Sequence, residues 1–233
     1  VLESKELIVH ASGESSDIVT KELYEFEDKK WRPLVMKPES TPWVMRAYIE
    51  NFLAETQPVQ LYYIEPHFRY DRPQKGRYRQ FHQIGAEMIG EQDAVLDAKM
   101  IHIMASILDS VWLEGQYTLK LNSLWVLKER EKYIAELTSF FEGKKHLLDE
   151  TDIARLEKNP LRLLDSKNED TRTLLAIAPK MTDFLKGESL EFYTKVKEYL
   201  SILGVSYEED PTLVRGLDYY SHTVWEFVDN SWR

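Results

Sequence analysis

A chain of 233 residues with 43% hydrophobic and 30% charged residues can bury a sizeable core and has the composition of a soluble globular protein. Its net charge of −10 excludes a protein that coats nucleic acid indiscriminately, though not one local basic patch that meets it. The absence of cysteine excludes disulfides, thiolate metal sites and cysteine catalysis and fits a cytoplasmic home; no apolar run is long enough for a membrane span, and VLESKELIVH has no signal-peptide profile.

Residues 18–26 (IVTKELYEF) and 32–37 read as strands around the polar turn EDKKWR. From Pro42 to about Ala54, Val44, Ala47, Tyr48 and Phe52 recur at helical spacing, with proline in the first turn. Two strands are expected at about 60–70 and 79–90, then a long helix near 93–111 carrying Val95, Leu96, Met100, Ile103 and Ile107. TLKLNS at 118–123 alternates as a strand. From about Val126 to Leu203 the pattern is helical, broken at Pro160, Pro179 and Gly187. Strand patterns return after Gly204 in VSYEE and LVRGLDYYSHTVWEF. The expected class is α+β: one antiparallel sheet flanked by helices, its two strand-rich parts (1–123 and 204–233) interrupted by an α-helical insertion at 124–203.

RYDRPQKGRYRQFHQIGAE (69–87) runs from the end of the first central strand through the loop into the second, and gathers Arg69, Arg72, Lys75, Arg77 and Arg79 around a turn marked by Pro73 and Gly76. Guanidinium groups held in such a loop suit polyphosphate, which arginine clamps with charge-assisted bonds. In the strand that follows, Phe81, Gln83, Gly85 and Glu87 share one face, and His82, Ile84, Ala86 and Met88 the other. The first face offers an aromatic ring, an amide, a gap and a carboxylate, fit for a small polar ligand close over Gly85. The competing reading is a hairpin with one solvated polar face. The six histidines, at 10, 67, 82, 102, 146 and 222, show no paired metal-ligand spacing.

Five ordered segments carry a resemblance. FRYDRPQKGRYRQFHQIGAE (68–87) resembles motif 2 of the histidyl-tRNA synthetases, which are class II aminoacyl-tRNA synthetases, and LVRGLDYYSHTVWEF (213–227) resembles their histidine-recognition motif. GESSDIVTKELYEFED (13–28), MKPESTPWVMRAYIE (36–50) and NPLRLLDSKN (159–168) are similar to further parts of that family. The resemblance implies a class II antiparallel sheet with a helical insertion. It implies activation of histidine by ATP, with Mg²⁺ arriving as part of the substrate, and transfer of histidine to tRNA(His) by a homodimer. Two anions must meet at the α-phosphorus, so positive charge and in-line positioning matter more than a strong base. By the same resemblance Arg69 and Arg215 are the catalytic arginines at the α-phosphate. Arg77 lies near the terminal phosphates, Phe81 stacks on adenine and Asp71 recognises it. Glu39, Ser40 and Thr41, with Gln83, receive the α-amino group. Glu87 and Tyr220 bond the imidazole, and Tyr219 lines the pocket. A site that pairs both ring nitrogens rejects side chains lacking them.

Several positions depart from the family pattern: Lys37 for Arg, Ser40 for Gly, Asp71 for Glu and Lys99 for Glu. Motif 3 and the anticodon-binding domain have no counterpart, which marks a fragment. Trp31, Trp43 and Trp125, and with them Trp232, fall where the family carries glycine, and 9 glycines in 233 residues is about 4% against the usual 7% or so. The expectation is that these codons are UGA, read as glycine in the source cell. Two related readings compete: a regulatory subunit of ATP phosphoribosyltransferase, against which the intact PQKGRYRQFHQ and RGLDYY weigh, and the synthetase-like domain of a stress-sensing kinase, against which the short bacterial-like spacing and the absence of kinase motifs weigh.

Overall fold

The structure, a computed structural model, describes residues 1–13, 16, 18–125, 127–184, 186–214 and 220–232, with backbone alone at 127–129, 182 and 232. These residues form two compact units, one over Val1–Gln92 and one from Asp93 onward.

The first unit opens with strand β1 (Leu2–Ser4) and helix α1 (Lys5–Ser12). Strands β2 (Glu25–Glu27) and β3 (Pro33–Met36) follow, and the three strands pair antiparallel in the order β1-β3-β2. The strand expected from Ile18 begins only at Glu25, because Ile18–Glu22 forms a helical turn. Local hydrogen bonds outcompete the ladder there. Thr20 donates to the Ser16 carbonyl from its backbone N–H (3.0 Å) and its hydroxyl (2.9 Å), and Val19 N–H donates to Ser16 Oγ. Helix α2 (Thr41–Asn51) has Pro42 in its first turn and buries Val44 and Tyr48. Strands β4 (Val59–Phe68) and β5 (Gln80–Ile89) make a long antiparallel hairpin, in register from Val59↔Ile89 to Phe68↔Gln80. Its loop turns where expected: Gln74 and Arg77 exchange backbone bonds around Gly76, whose φ of +79° suits a residue without Cβ.

In the second unit α3 (Ala94–Ser110) starts on Asp93, whose side chain accepts from Val95 N–H. Strand β6 (Tyr117–Ser123) leads into helices α4 (Leu127–Glu142), α5 (Glu150–Lys158), α6 (Glu169–Leu175) and α7 (Gly187–Ile202). Strands β7 (Glu208–Glu209) and β8 (Thr223–Asp229) then flank β6, β7 parallel and β8 antiparallel. Helical spacing explains the core. Tyr133, Leu137 and Phe141 line one face of α4, and Tyr193, Val196 and Leu200 one face of α7; all are buried with Ile101, Leu119 and Leu121. Buried Asp152 accepts from Ser166 Oγ, from Thr171 Oγ1 at 2.7 Å and from Arg155 at 2.9 Å, tying α5 to α6.

The α+β class holds, and β6 meets β8 across the helices that separate them in sequence. The single continuous sheet does not: among the described residues the strands form three hydrogen-bonded sets. One reason is local to the first unit. β3 ends at Met36 and the chain turns to start α2 at Thr41, so the bond from Phe68 N–H to the Lys37 carbonyl (3.0 Å) does not extend into a ladder.

Candidate active site

The hairpin has two unlike faces. Tyr62, Ile64 and Ile84 are exposed on one of them. On the other, Val59, Leu61, Tyr63, Glu65 and His67 of β4 stand opposite Ile89, Glu87, Gly85, Gln83 and Phe81 of β5. The predicted grouping of Phe81, Gln83, Gly85 and Glu87 is therefore the face of this sheet that is turned from solvent. Its gap is not open, however. A Cβ at Gly85 would lie 2.1 Å from the Tyr63 ring, so the tyrosine paired with Gly85 fills the space the sequence reading left for a ligand. Aromatic side chains commonly cover a glycine on the neighbouring strand.

The segment 37–41 is fastened onto this face. Lys37 forms an ion pair with Glu65, and its ammonium also sits 4.5 Å from the Trp43 ring centroid. Ser40 Oγ and His67 Nε2 share a hydrogen bond of 2.8 Å, and Thr41 Oγ1 donates to Glu87 Oε1 at 2.7 Å. Between them, buried Glu39 accepts from Ser12 Oγ of α1 at 2.6 Å. The departures at Lys37 and Ser40 thus have partners of their own, in Glu65 and His67.

Burial raises the Glu87 carboxyl above its usual range; the bond from Thr41 opposes this and the nearby Glu39 charge adds to it. A recess with two close acidic side chains has a need for positive charge. His67, fully buried, is held to about 4, first by loss of solvent and next by the Lys37 charge, so it is neutral at pH 7. Its ring stacks on Phe81, with centroids 5.7 Å apart and planes 25° apart.

The arginine loop joins at the same end of the hairpin. Arg69 Nε donates to the Pro38 carbonyl at 2.9 Å, and its guanidinium carbon lies 5.3 Å from the centre of the Phe81 ring. Asp71 accepts from the Arg72 N–H at 2.7 Å and from Arg77 Nη1 at 3.2 Å. Arg79 lies over the Tyr70 ring at 4.1 Å. The first unit therefore brings together Glu39, Ser40, Thr41, Glu87, Arg69 and Phe81, with Gln83 on the same face and the Asp71–Arg77 pair in the loop. Arg215 and Tyr219 lie outside the described residues. Tyr220 belongs to the second unit, where its carbonyl accepts from Arg130 Nη2 at 2.7 Å.

Sequence reasoning missed Ser12, Tyr63, Glu65, His67 and Arg130. The β4 residues carried a usable signal, because LYYIEPH alternates with period two and its odd positions had to face Phe81 and Glu87. Arg130 carried none: it reads as one more charge in KEREK, yet it is buried and also bonds the Leu124 carbonyl at 3.0 Å.

An arginine-bearing antiparallel hairpin, packed against a strand-to-helix segment that supplies buried carboxylate and hydroxyl groups, is the core of a class II aminoacyl-tRNA synthetase. The comparisons narrow the class. The family model described as histidyl-tRNA synthetase matches residues 2–233, and the chain belongs to that family. It is 46% identical over 232 residues to the histidine–tRNA ligase of Dictyoglomus turgidum, covering 99% of this chain and 56% of that protein. It is 45% identical over 233 residues to that of Bacillus subtilis, covering 99% and 55%. The crystal structure of apo S. aureus histidyl-tRNA synthetase superposes with a TM-score of 0.72 at 35% identity, over 97% of this chain and 51% of that one. The chain spans about half the length of the curated relatives it matches.

Proposed function

We propose that this chain is the larger part of the catalytic domain of a histidine–tRNA ligase. In this reading residues 1–123 and 204–233 are catalytic core, 124–203 is an inserted helical domain, and the full-length protein is a cytoplasmic homodimer. Its substrates are histidine, ATP with Mg²⁺, and tRNA(His). One observation carries the reading: segment 37–41 is clasped to the Glu87 face of the hairpin within reach of Arg69.

In the first step a histidine carboxylate oxygen attacks the α-phosphorus of ATP, the bond to the bridging oxygen breaks, and pyrophosphate leaves. Arg69 holds the α-phosphate and offsets the charge that grows there, aided by Arg215. The bond from Arg69 Nε to Pro38 ties the orientation of that guanidinium to the segment that receives the amino acid. Phe81 offers its ring to adenine, and Asp71 its carboxylate. Arg77, paired with Asp71 on an exposed loop, reaches the terminal phosphates by exchanging that partner. Glu39, Ser40, Thr41 and Gln83 take the α-ammonium, whose charge relieves the crowding of Glu39 and Glu87. Glu87 and Tyr220 take the two imidazole nitrogens, with Tyr219 beside them. The histidyl group then passes from the adenylate to the tRNA terminus.

Exchange of labelled pyrophosphate into ATP by the full-length protein, with each amino acid in turn, tests the reading. Exchange with histidine alone is expected. Exchange with another amino acid, or with none, would overturn it.

A further inference from the structure

Among the described residues only four that are not glycine have a left-handed φ, and three of them are tryptophans: Trp31 at 60°, Trp112 at 64° and Trp125 at 55°. The fourth is His222, a residue type that visits this region more readily than most. A non-glycine residue has positive φ in a few per cent of cases, so three of the six tryptophans doing so independently is on the order of one chance in a thousand. The coincidence belongs to the residue type, and its cause should be sought there.

Trp112 and Trp31 each hold a place in a local motif that glycine normally fills. Trp112 stands one residue past the cap of α3. There Leu113 N–H bonds the Leu108 carbonyl at 3.1 Å and Trp112 N–H bonds the Asp109 carbonyl at 3.0 Å, the paired bonds of a Schellman motif whose left-handed residue is usually glycine. Trp31 closes the loop between β2 and β3. Its N–H bonds the Asp28 carbonyl and Asp28 N–H bonds the Arg32 carbonyl, a three-residue hairpin loop whose left-handed last position calls for glycine. Neither indole gains much by being there, since Trp31 is 80% and Trp112 86% exposed. Trp125 is wholly buried and packs edge-to-face on Tyr133 with centroids 5.8 Å apart, but its indole N–H has no partner among the described residues, although a buried tryptophan usually finds one.

Trp225 is the internal contrast. It lies within β8 opposite Leu121, has no left-handed φ, and packs edge-to-face on Phe227 with centroids 5.7 Å apart. That is a setting in which tryptophan is favoured.

We propose that positions 31, 112 and 125 are glycine in the protein as its own cell makes it, encoded by UGA codons that this cell decodes as glycine, and that position 225 is a true tryptophan encoded by UGG. UGA fits because UGG is the sole standard tryptophan codon, and UGA is the codon that variant codes also read as tryptophan. The backbone adds Trp112 to the positions the sequence singled out. It gives Trp43, inside α2, no such mark, and the side chain of Trp232 lies outside the described residues.

The test reads the gene and the protein together. The coding DNA is expected to show TGA at 31, 112 and 125 and TGG at 225. Mass spectrometry of peptides from the protein isolated from its source cells is expected to give a glycine residue mass at the first three positions and a tryptophan mass at 225. TGG at any of the three, or a tryptophan mass in any of their native peptides, would overturn the proposal. TGA at 225 would overturn it as well, because codon and backbone would then be unrelated.

Discussion

Thr41 Oγ1 donates to Glu87 Oε1 at 2.7 Å, so the first residue of α2 holds the carboxylate on the far strand of the hairpin. That bond opposes the two influences that raise the Glu87 carboxyl, burial and the charge of Glu39. Thr41→Val removes it without changing the shape of the side chain much. The Glu87 titration, followed by carbonyl NMR, should move further up, and the variant should lose about 1–2 kcal/mol of stability. An unmoved titration would mean that the bond does not form in solution.

The pH dependence of stability has a definite sign at His67. Its folded value of about 4 lies below the ordinary 6.5, so the unfolded chain binds a proton more readily than the folded one between these values. The neutral form's contribution is complete above pH 6.5 and is lost as pH falls to about 4, a change of about 3 kcal/mol. Glu87 acts the other way: its raised carboxyl stabilises the fold at low pH, and that contribution fades as pH rises through its folded value. Urea unfolding of the wild type and His67→Gln at pH 5 and pH 7 separates the two. The acid-side loss should shrink in the variant, and equal losses would assign it elsewhere.

Gly85→Ala puts a methyl group into the Tyr63 ring, at 2.1 Å from its nearest atom. Overpacking of this kind costs about 1–3 kcal/mol. Tyr63→Leu in the same chain should return part of the loss, because a shorter side chain vacates the space over position 85. A double-mutant cycle by denaturant unfolding measures the coupling, and additive effects would show that the ring is not there.

Arg69 Nε donates to the Pro38 carbonyl, which ties this arginine to the segment proposed to receive histidine. Arg69→Lys keeps the charge but loses the planar fork. In the full-length protein the pyrophosphate exchange rate should fall by about 10²–10³, as when a transition-state donor is removed elsewhere. A fall confined to KM would place Arg69 in ground-state binding alone.

Trp112→Gly and Trp31→Gly should each raise stability by about 1 kcal/mol, the order of the cost of an L-residue in the left-handed region. Trp225→Gly should destabilise by about 1–3 kcal/mol, since a half-buried ring loses its packing on Phe227. Thermal unfolding of the three variants decides the matter, and a destabilised Trp112→Gly would show that the indole has a role of its own.

Much of this was legible in the sequence, and for one reason. Long periodic elements report themselves: α3 and the β4–β5 hairpin lie within a residue or two of their expected bounds, and the shared face of Phe81, Gln83 and Glu87 follows from period two alone. What escaped depends on partners distant in the chain. Nothing near Gly85 says that Tyr63 will fill its gap, because that follows from the pairing of two strands. The helical turn at Ile18–Glu22 was hidden because β-branched residues look like a strand until the hydrogen bonds of Ser16 and Thr20 are counted. The rungs from Lys37 to Glu65 and from Ser40 to His67 were visible only as separate oddities.

The pairing of β6 with β8 has a consequence for how the chain is made. Ser123 and Thr223 are partners, yet roughly 100 residues of helix and turn leave the ribosome between them. At about 5–20 residues per second, β6 waits on the order of 5–20 seconds before its antiparallel neighbour exists. During that wait the apolar residues of β6, Leu119 and Leu121, have only α3 and the emerging helices to cover them. The order of synthesis thus asks the helices to act as a shelter for a strand before they act as anything else, and a slow codon within them would lengthen its exposure.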